Sequence, residues 1–201
     1  MAGFDPDWTL TGGAALAGFY LGHRTTRDLD LFWRNRASLL EIRRDVLSRL
    51  QTAGFEVREL RVSEAFASLR VSNATESVIV DLIAEPVPSI EAPNNVGLGN
   101  VTIQVDTVHE LLVNKLCSLL HRSELRDLVD IQALVDHGGD LDRAVRDAPS
   151  KDAGFSPLTL GYAISGWNVA EAARAGGLED RATELERFRD ELLRRVTGNK
   201  P

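Results

Sequence analysis

The spacing of apolar residues divides the chain into a first part with short strand-like runs and a second part that is helical. Five short apolar runs bounded by polar residues predict strands, over residues 28–33, 55–62, 65–71, 77–84 and 101–105. Apolar residues at helical spacing predict helices over 14–21 and 37–53, and each of these is followed by a glycine. The segment 85–100 holds three prolines and two glycines, so we predict a loop there.

From residue 107 onward, the pattern is typical of helices alone. Helices are predicted to begin after Thr107, after Ser123 and at Pro157, the last one running to about residue 175, and a charged helix is predicted over 178–196. We therefore predict an α+β fold in which a mixed sheet flanked by helices, over residues 1–106, is followed by a C-terminal helical bundle, over 107–201.

Composition and charge narrow the class of protein. The net charge of -7 over 201 residues argues against a strongly basic, non-specific nucleic-acid binder, although it leaves room for a local basic groove. Cys117 is the only cysteine, so an internal disulfide is excluded. The start of the chain lacks a basic and then apolar pattern, and no uncharged apolar run approaches membrane length. We therefore expect no signal peptide, no membrane contact and, by default, a cytoplasmic location.

Asp28 and Asp30 are the first candidates for chemistry. Residues two apart on a strand point to the same face, so these two carboxylates are expected to project together. Two unit charges about 4 Å apart repel by roughly 4 kcal/mol at an effective dielectric constant near 20. A divalent cation removes this repulsion, and magnesium prefers a few carboxylate oxygens together with substrate phosphates. The alternative is a solvated strand end with two unrelated aspartates.

Asp81 strengthens the metal interpretation because it interrupts the apolar run over residues 78–83. A buried, ionised carboxylate is costly unless it is paired or bound to a metal. If its strand lies beside the strand of Asp28 and Asp30, three carboxylates converge. That arrangement suits two metal ions, one on a triphosphate and one that lowers the pKa of an attacking hydroxyl. The alternative is an ion pair between Asp81 and an arginine, such as Arg70.

Gly12 and Gly13 precede a predicted helix and would let backbone N–H groups approach an anion. A tight turn explains two glycines equally well. The chain has neither a Walker A motif nor a Gly-x-Gly-x-x-Gly motif, which argues against P-loop and Rossmann folds. His23, Arg24 and Arg27 lie just before the aspartates and are further candidates for phosphate contact, with solvent exposure as the alternative for at least two of them.

Lys115 and Arg122 lie inside the apolar arc of their predicted helix, at about 340° and 320° when each residue turns 100°. Both are candidates to reach a triphosphate, and the alternative is that they snorkel or form an ion pair with an inward acid. Asp127 lies on the apolar side of the next helix. It is a candidate partner of Lys115 or Arg126, or a candidate base. Asp130, at the edge of that face, is expected to be structural.

Two further groups of polar residues receive simpler interpretations. Five arginines cluster around the helix predicted over 37–53 and the strand after it, at positions 43, 44, 49, 58 and 61. They would suit a basic edge for RNA, but a solvated face is the simpler interpretation. No partner is predicted for His109, His121 or His137.

Taken together, these residues resemble the nucleotidyltransferases of the AbiEii/AbiGii toxin family, within the DNA polymerase β-like superfamily. The resemblance rests on Gly12-Gly13 followed by Asp28-x-Asp30, in the segment LTGGAALAGFYLGHRTTRDLDLF. It also rests on the segment VHELLVNKLCSLLHRSELRDLVDIQAL, which is similar to the family's lysine-containing helix and Arg-Asp motif. The similarity covers about residues 8–137. Many superfamily members have Gly-Ser where this chain has Gly12-Gly13, which removes a hydroxyl from the expected phosphate site.

The resemblance implies a nucleotidyltransferase-like sheet and a role for each matched residue. Asp28 and Asp30 would bind magnesium, and Asp81 has the position of the superfamily's third carboxylate. Lys115 would contact the nucleotide, and Asp127 would be the late catalytic acidic residue. Members of the family are toxins paired with an antitoxin protein, and some relatives modify tRNA.

The residues and the resemblance together lead to one principal hypothesis and two alternatives. The chain would transfer NMP from an NTP to a hydroxyl acceptor (RNA such as tRNA, or protein), with two Mg²⁺ ions. Action as a toxin of a toxin–antitoxin system is part of this hypothesis. Asp28, Asp30 and Asp81 would hold metal, while Gly12, Gly13, Lys115 and Arg122 would hold the triphosphate. The alternatives are an antibiotic-type enzyme with a small-molecule acceptor and a non-catalytic binding module on the same fold.

Overall fold

The structure is a computed structural model that describes residues 8–22, 26 and 28–198. The chain divides into two compact units, residues 1–107 and residues 108–201. The candidate phosphate contacts His23, Arg24 and Arg27 lie outside the described residues.

The first unit is built on a mixed seven-stranded sheet with the strand order β3-β4-β5-β2-β1-β7-β6. The two central strands β2 and β5 are parallel, as are β1 and β7, and the other neighbours are antiparallel. The strands are β1 Thr9–Thr11, β2 Asp28–Arg34, β3 Glu56–Val62, β4 Phe66–Ser72, β5 Ser77–Glu85, β6 Asn94–Leu98 and β7 Val101–Val105.

One face of this sheet is apolar and forms the core of the unit. Alternate residues of β2, β4 and β5 supply it, because successive side chains on a strand point to opposite faces. Helix α2, Leu40–Thr52, packs its apolar positions against this face. The buried members of the cluster are Trp33, Leu39, Ala67, Leu69, Val71, Val80, Leu82 and Ala84.

The opposite face of the same strands carries polar side chains. Asp30 of β2, Asp81 of β5 and Ser68 of β4 are partners in one row across the sheet. Asp28 and Arg70 lie in the neighbouring row, on either side of Ile79. We call this side of the sheet the polar face.

The five predicted strands are all present, but the predicted loop over 85–100 is wrong in part. It contains strand β6, Asn94–Leu98, which pairs only with β7. The prolines precede this strand in the chain, and Gly99 has a φ of +62° in the turn that reverses the direction of the hairpin. Because β6 is an edge strand with mostly exposed residues, it lacks the apolar alternation that identifies the central strands.

The helices of the first unit differ in detail from the prediction. Helix α1, Gly12–Ala15, begins before the predicted residue 14 and continues as a π-helical segment, Leu16–Leu21. Gly22 then ends this segment with a left-handed φ of +57°. Helix α2 begins at Leu40 rather than at residue 37. The backbone N–H of Leu39 donates to the carbonyl of Glu64, 2.8 Å away, which ties the chain to the sheet before the helix starts.

The second unit is helical. Its helices are α3 Val108–Arg122, α4 Leu125–Asp136, α5 Leu141–Asp147, α6 Pro157–Ser165, α7 Val169–Ala175 and α8 Ala182–Thr197. Helix α5, which the pattern did not predict, is capped by Asp140, whose side chain accepts a hydrogen bond from the Arg143 N–H. Every helix in the described part of the chain is too short or too polar to cross a membrane.

The single helix predicted from residue 157 to about residue 175 is wrong, because the chain forms two helices there. Ser156 and Thr159 form a capping box at the start of α6, as the Ser-Pro sequence suggested. Gly166 ends α6, and the Asn168 side chain then caps α7 by accepting from the Glu171 N–H. The apolar residues keep their helical spacing across this break, so the spacing alone does not reveal the second cap.

We predict that Leu82→Ala destabilises the first unit. Leu82 is 0% exposed at the centre of the apolar face. Truncating such a leucine costs about 2–5 kcal/mol through lost burial and a residual cavity. Chemical denaturation followed by circular dichroism would measure the loss. Leu40→Ala is the matched control, because Leu40 is 55% exposed and its change should leave the free energy of unfolding nearly unaltered.

Candidate functional site

The pairing of β2 with β5 places the three predicted carboxylates on the polar face. Asp30 and Asp81 are direct register partners in this parallel pair, and Asp28 is aligned with Ile79. Neighbouring strands lie about 4.8 Å apart, so the backbones of Asp30 and Asp81 are adjacent. Asp28 projects from the same face two residues before Asp30. Convergence of the carboxylates was predicted on the condition that these strands are neighbours, and that condition is met.

Asp28 is oriented by Thr26. The Thr26 hydroxyl donates to Asp28 Oδ1 over 2.6 Å, and it also lies 3.3 Å from the Asp28 carbonyl. This contact satisfies one lone pair of the carboxylate. Sequence reasoning missed Thr26, although a threonine two residues before an aspartate is a common local hydrogen-bonding pattern.

The backbone of Gly12 lies against the Asp30 carboxylate. A Cβ atom built on Gly12 would lie 1.9 Å from Asp30 Oδ2 and 2.8 Å from its Cγ. Gly12 also has a φ of +62°, which side chains rarely adopt. Only glycine therefore allows the Asp30 carboxylate to lie against the backbone at the start of α1. The sequence predicted a phosphate contact for Gly12 but not this contact with Asp30.

Among the three carboxylates on the polar face, Asp81 has a buried oxygen, Oδ1, that has no hydrogen-bond partner within the described part of the chain. The ion pair with Arg70, which was the alternative for Asp81, is not formed in this structure. A buried carboxylate oxygen without a partner is costly, and a bound cation would remove that cost.

Asp28, Asp30 and Asp81 offer carboxylate oxygens, which are the ligands that magnesium prefers. The residues present therefore fit a magnesium ion in chemical type. The three carboxylates share a face without closing into a cluster: within residues 8–22, 26 and 28–198, no three His, Cys, Asp or Glu side chains are placed to hold one ion together. The metal-binding role of Asp28, Asp30 and Asp81 stays a prediction.

The other predicted site residues form an ionic network in the second unit, which is buried except for Arg122, whose side chain is 39% exposed. Lys115 Nζ lies 3.0 Å from Asp127 Oδ1 and 2.7 Å from Asp130 Oδ2. Arg122 forms a two-pronged contact with Asp127, through Nε at 2.6 Å and Nη2 at 2.8 Å. Both aspartates are 0% exposed and Lys115 is 7% exposed. Two cations thus meet two anions between helices α3 and α4.

This network corresponds to the alternative interpretation of Lys115 and Arg122, an ion pair with an inward acid. Of the two partners considered for Asp127, the structure selects Lys115, because Arg126 instead pairs with Glu124 over 2.6 Å. Asp130 completes the network, as its expected structural role implies. A contact of Lys115 or Arg122 with a nucleotide, and a catalytic role for Asp127, remain predictions.

Several ion pairs were not visible in the sequence. His109 Nε2 lies 2.8 Å from Asp147 Oδ2, and His121 pairs with Asp152, so the expectation that these histidines lack partners is wrong. Their partners lie at or after the end of α5, which the sequence pattern did not predict. In the first unit, Arg34 Nη2 lies 2.8 Å from the fully buried carboxylate of Asp106. An arginine at the end of a strand gives no sequence signal for such a pair.

The sequence was also compared with known protein families. The model of the family described as nucleotidyl transferase AbiEii toxin, Type IV TA system, matches residues 1–195. The chain belongs to this family. The comparison with curated proteins finds no match.

Solved structures confirm the fold. JHP933 from Helicobacter pylori is 20% identical, with a TM-score of 0.56 over 96% of this chain and 87% of that chain. A second H. pylori protein, a candidate nucleotidyltransferase, is also 20% identical, with a TM-score of 0.55 over 98% of this chain and 91% of that chain. The predicted α+β, nucleotidyltransferase-like fold is therefore confirmed, and so is the resemblance to the AbiEii family. The chain is an enzyme of the nucleotidyltransferase class.

We predict that Gly12→Ala impairs nucleotide transfer more than it impairs folding. The added methyl group would occupy the position of the Asp30 carboxylate and displace it. Transfer of label from α-labelled NTP would measure activity, and thermal unfolding would report the fold. Gly18→Ala is the control, because Gly18 is exposed, helical and has open space around its Cα. Equal activities of the two variants would contradict the proposed contact.

We also predict that Asp127→Ala destabilises the second unit. Removing this carboxylate takes one partner from Lys115 and the two-pronged partner from Arg122. Breaking a buried ion pair from one side costs up to about 3–5 kcal/mol. The loss here should be smaller, because Lys115 keeps Asp130 and the Arg122 side chain is 39% exposed. Asp136→Ala, at an exposed position of the same helix, should cost far less. Urea denaturation of both variants would show the difference, and equal midpoints would argue that the network contributes nothing to stability.

Proposed function

We propose that this protein is a magnesium-dependent enzyme that transfers NMP from an NTP to a hydroxyl acceptor and releases pyrophosphate. The acceptor would be RNA, such as tRNA, or a protein. The observation that carries the proposal is the register of Asp30 beside Asp81 on the polar face, with Asp28 two residues away. The buried, unpartnered Oδ1 of Asp81 supports it, because this atom needs a cation or a proton.

In this proposal Asp28, Asp30 and Asp81 hold two magnesium ions when the NTP is bound. The bound ions would neutralise charge that develops on the phosphates and lower the pKa of the attacking hydroxyl. Thr26 keeps the Asp28 carboxylate in one orientation. The Gly12 backbone does the same for Asp30 by leaving room for its carboxylate. Positioned groups of this kind matter because phosphoryl transfer depends mainly on alignment and charge stabilisation.

The bond changes follow an in-line displacement. The acceptor oxygen forms a bond to the α-phosphorus of the NTP, and the bond from that phosphorus to the oxygen of pyrophosphate breaks. The acceptor proton is proposed to pass to the Asp81 carboxylate. Gly12 and Gly13 are proposed to donate backbone N–H groups to the triphosphate. Lys115, on the family resemblance, and Arg122, from its place on the same helix face, are proposed to contact the nucleotide, and Asp127 is proposed to be the late catalytic acidic residue.

The family description supports a biological role as a toxin that is paired with an antitoxin protein. Transfer of a nucleotide to an essential RNA or protein would block the function of that acceptor. If transfer is the cause of toxicity, then expression of the chain should arrest growth only while the carboxylates on the polar face are intact.

We predict that Asp30→Asn abolishes transfer while the fold persists. The amide has nearly the same shape but removes one negative charge beside Asp81. Changing even an outer-shell partner of a metal costs about 10–100-fold, so the loss of a direct ligand should reach at least the upper end of this range. Incubation with each α-labelled NTP and total RNA, followed by electrophoresis, would measure transfer.

The matched control for this experiment is Asp45→Asn, at an exposed position of α2 where Asp45 pairs with Arg49. This control should transfer nucleotide at the rate of the wild-type chain. Undiminished transfer by the Asp30→Asn variant, with a normal circular dichroism spectrum, would eliminate the proposed mechanism.

A further inference from the structure

Three arginines lie on the polar face, on the two strands beyond Asp81. Arg58 of β3 and Arg70 of β4 are direct partners in the antiparallel register, and Arg61 is the partner of Ser68. We call Arg58, Arg61 and Arg70 the arginine strip. All three side chains are exposed. Arg58 and Arg61 are among the five arginines that would suit a basic edge for RNA, but the sequence pattern neither includes Arg70 in that group nor places the three on one face.

The register of the sheet continues from the arginine strip to the carboxylates. Arg61 lies in the row that runs through Ser68 and Asp81 to Asp30. Arg58 and Arg70 lie in the row that runs through Ile79 to Asp28. With strands about 4.8 Å apart, the strip begins one strand away from Asp81. Cations and carboxylates therefore occupy adjacent parts of one face.

The arginine strip lacks charge partners within the sheet. Among the described residues, Arg58, Arg61 and Arg70 form no ion pair, whereas Arg43 on the neighbouring helix pairs with Glu59 over 3.0 Å. Like charges directly opposite on two strands are destabilising, and Arg58 opposite Arg70 is such a pair. Arg61 lies over the Phe66 ring, with its guanidinium carbon 5.5 Å from the ring centroid. An anion bound along the strip would relieve the repulsion.

The place of the strip relative to Gly12 indicates which anion it would take. Gly12 lies at the end of β1, on the other side of β2 and β5 from the strip. In an in-line displacement, the attacking and leaving groups approach from opposite sides of the transferred phosphorus. If the triphosphate lies toward Gly12, the acceptor enters from the side of β4 and β3. The strip is therefore on the acceptor side of the site.

We propose that the arginine strip binds the phosphodiester backbone of a nucleic-acid acceptor and directs its hydroxyl toward Asp81. This inference rests on the proposed function, since it assigns the two sides of the same site. Arginine is suited to phosphate because its planar group donates two parallel hydrogen bonds. The planar guanidinium of Arg61, which lies over the Phe66 ring, adds a surface on which a base can stack. Glu56 lies on the same face at the outer end of β3. Because its side chain is acidic, the strip is limited to these three arginines.

The test compares two triple variants of equal charge. Arg58→Gln, Arg61→Gln and Arg70→Gln together remove the strip. Arg146→Gln, Arg187→Gln and Arg194→Gln together remove three exposed arginines of the second unit, so the net charge changes by the same amount. Binding of a fluorescein-labelled single-stranded RNA oligonucleotide would be measured without nucleotide over a range of salt concentrations. Binding of Mg·ATP would be measured by calorimetry, and circular dichroism would verify the fold.

We expect the strip variant to bind the RNA at least about tenfold more weakly than the control variant. Its slope of log affinity against log salt should fall by about 2, since each phosphate contact on a single strand contributes about 0.7. Binding of Mg·ATP should be unchanged. Equal RNA affinity in the two variants would overturn the inference, and would favour a protein or small-molecule acceptor. A loss confined to Mg·ATP would also overturn it, because the strip would then serve the triphosphate.

The binding measurement does not depend on catalysis, so the two proposals can fail separately. If Asp30→Asn retains transfer, the catalytic proposal falls whatever the RNA affinity. If Asp30→Asn loses transfer while the strip variant retains its RNA affinity, only the inference about the strip falls.

Discussion

The parallel pairing of β2 with β5 is the interaction on which the site depends. Its register is fixed by the apolar face, where Leu31 lies opposite Leu82 and both pack toward α2. A shift of one residue would turn the leucines outward and bury the aspartates, at a cost of several kcal/mol. Burial on one face therefore holds Asp30 beside Asp81 on the other. The carboxylates repel each other, and the hydrophobic core opposes that repulsion.

Much of this arrangement could be predicted from the sequence because its signals are local. The aspartate in the apolar run of β5 is unusual for any strand, and the Asp-x-Asp spacing places two carboxylates on one face. The contact between Gly12 and Asp30 could not be predicted, since it depends on how α1 leaves β1. Strand β6 and the break between α6 and α7 were also missed. Neither feature is marked by a change in the spacing of apolar residues along the sequence.

The ionic network of the second unit shows a different limit of prediction from sequence. Helical periodicity places Lys115 and Arg122 in the apolar arc of α3, and that much is visible in the sequence. It cannot say which anion they meet, because the answer depends on the turn between α3 and α4. Ser123 adopts a left-handed φ of 45° in that turn, which brings Asp127 back toward both cations. A pattern within one helix carries no information about such a turn.

The distribution of charge on β3 and β4 depends on a single irregularity in the sheet. Residues three apart on a regular strand point to opposite faces, so Arg58 and Arg61 should be separated. A β-bulge between Glu59 and Arg61 adds one residue to β3 and returns Arg61 to the face of Arg58. Glu59 remains on the other face, where it pairs with Arg43. Acidic and basic residues that alternate in the sequence are thus sorted onto two faces. An acidic chain can in this way present a cationic surface beside its carboxylates, which net charge alone would not reveal.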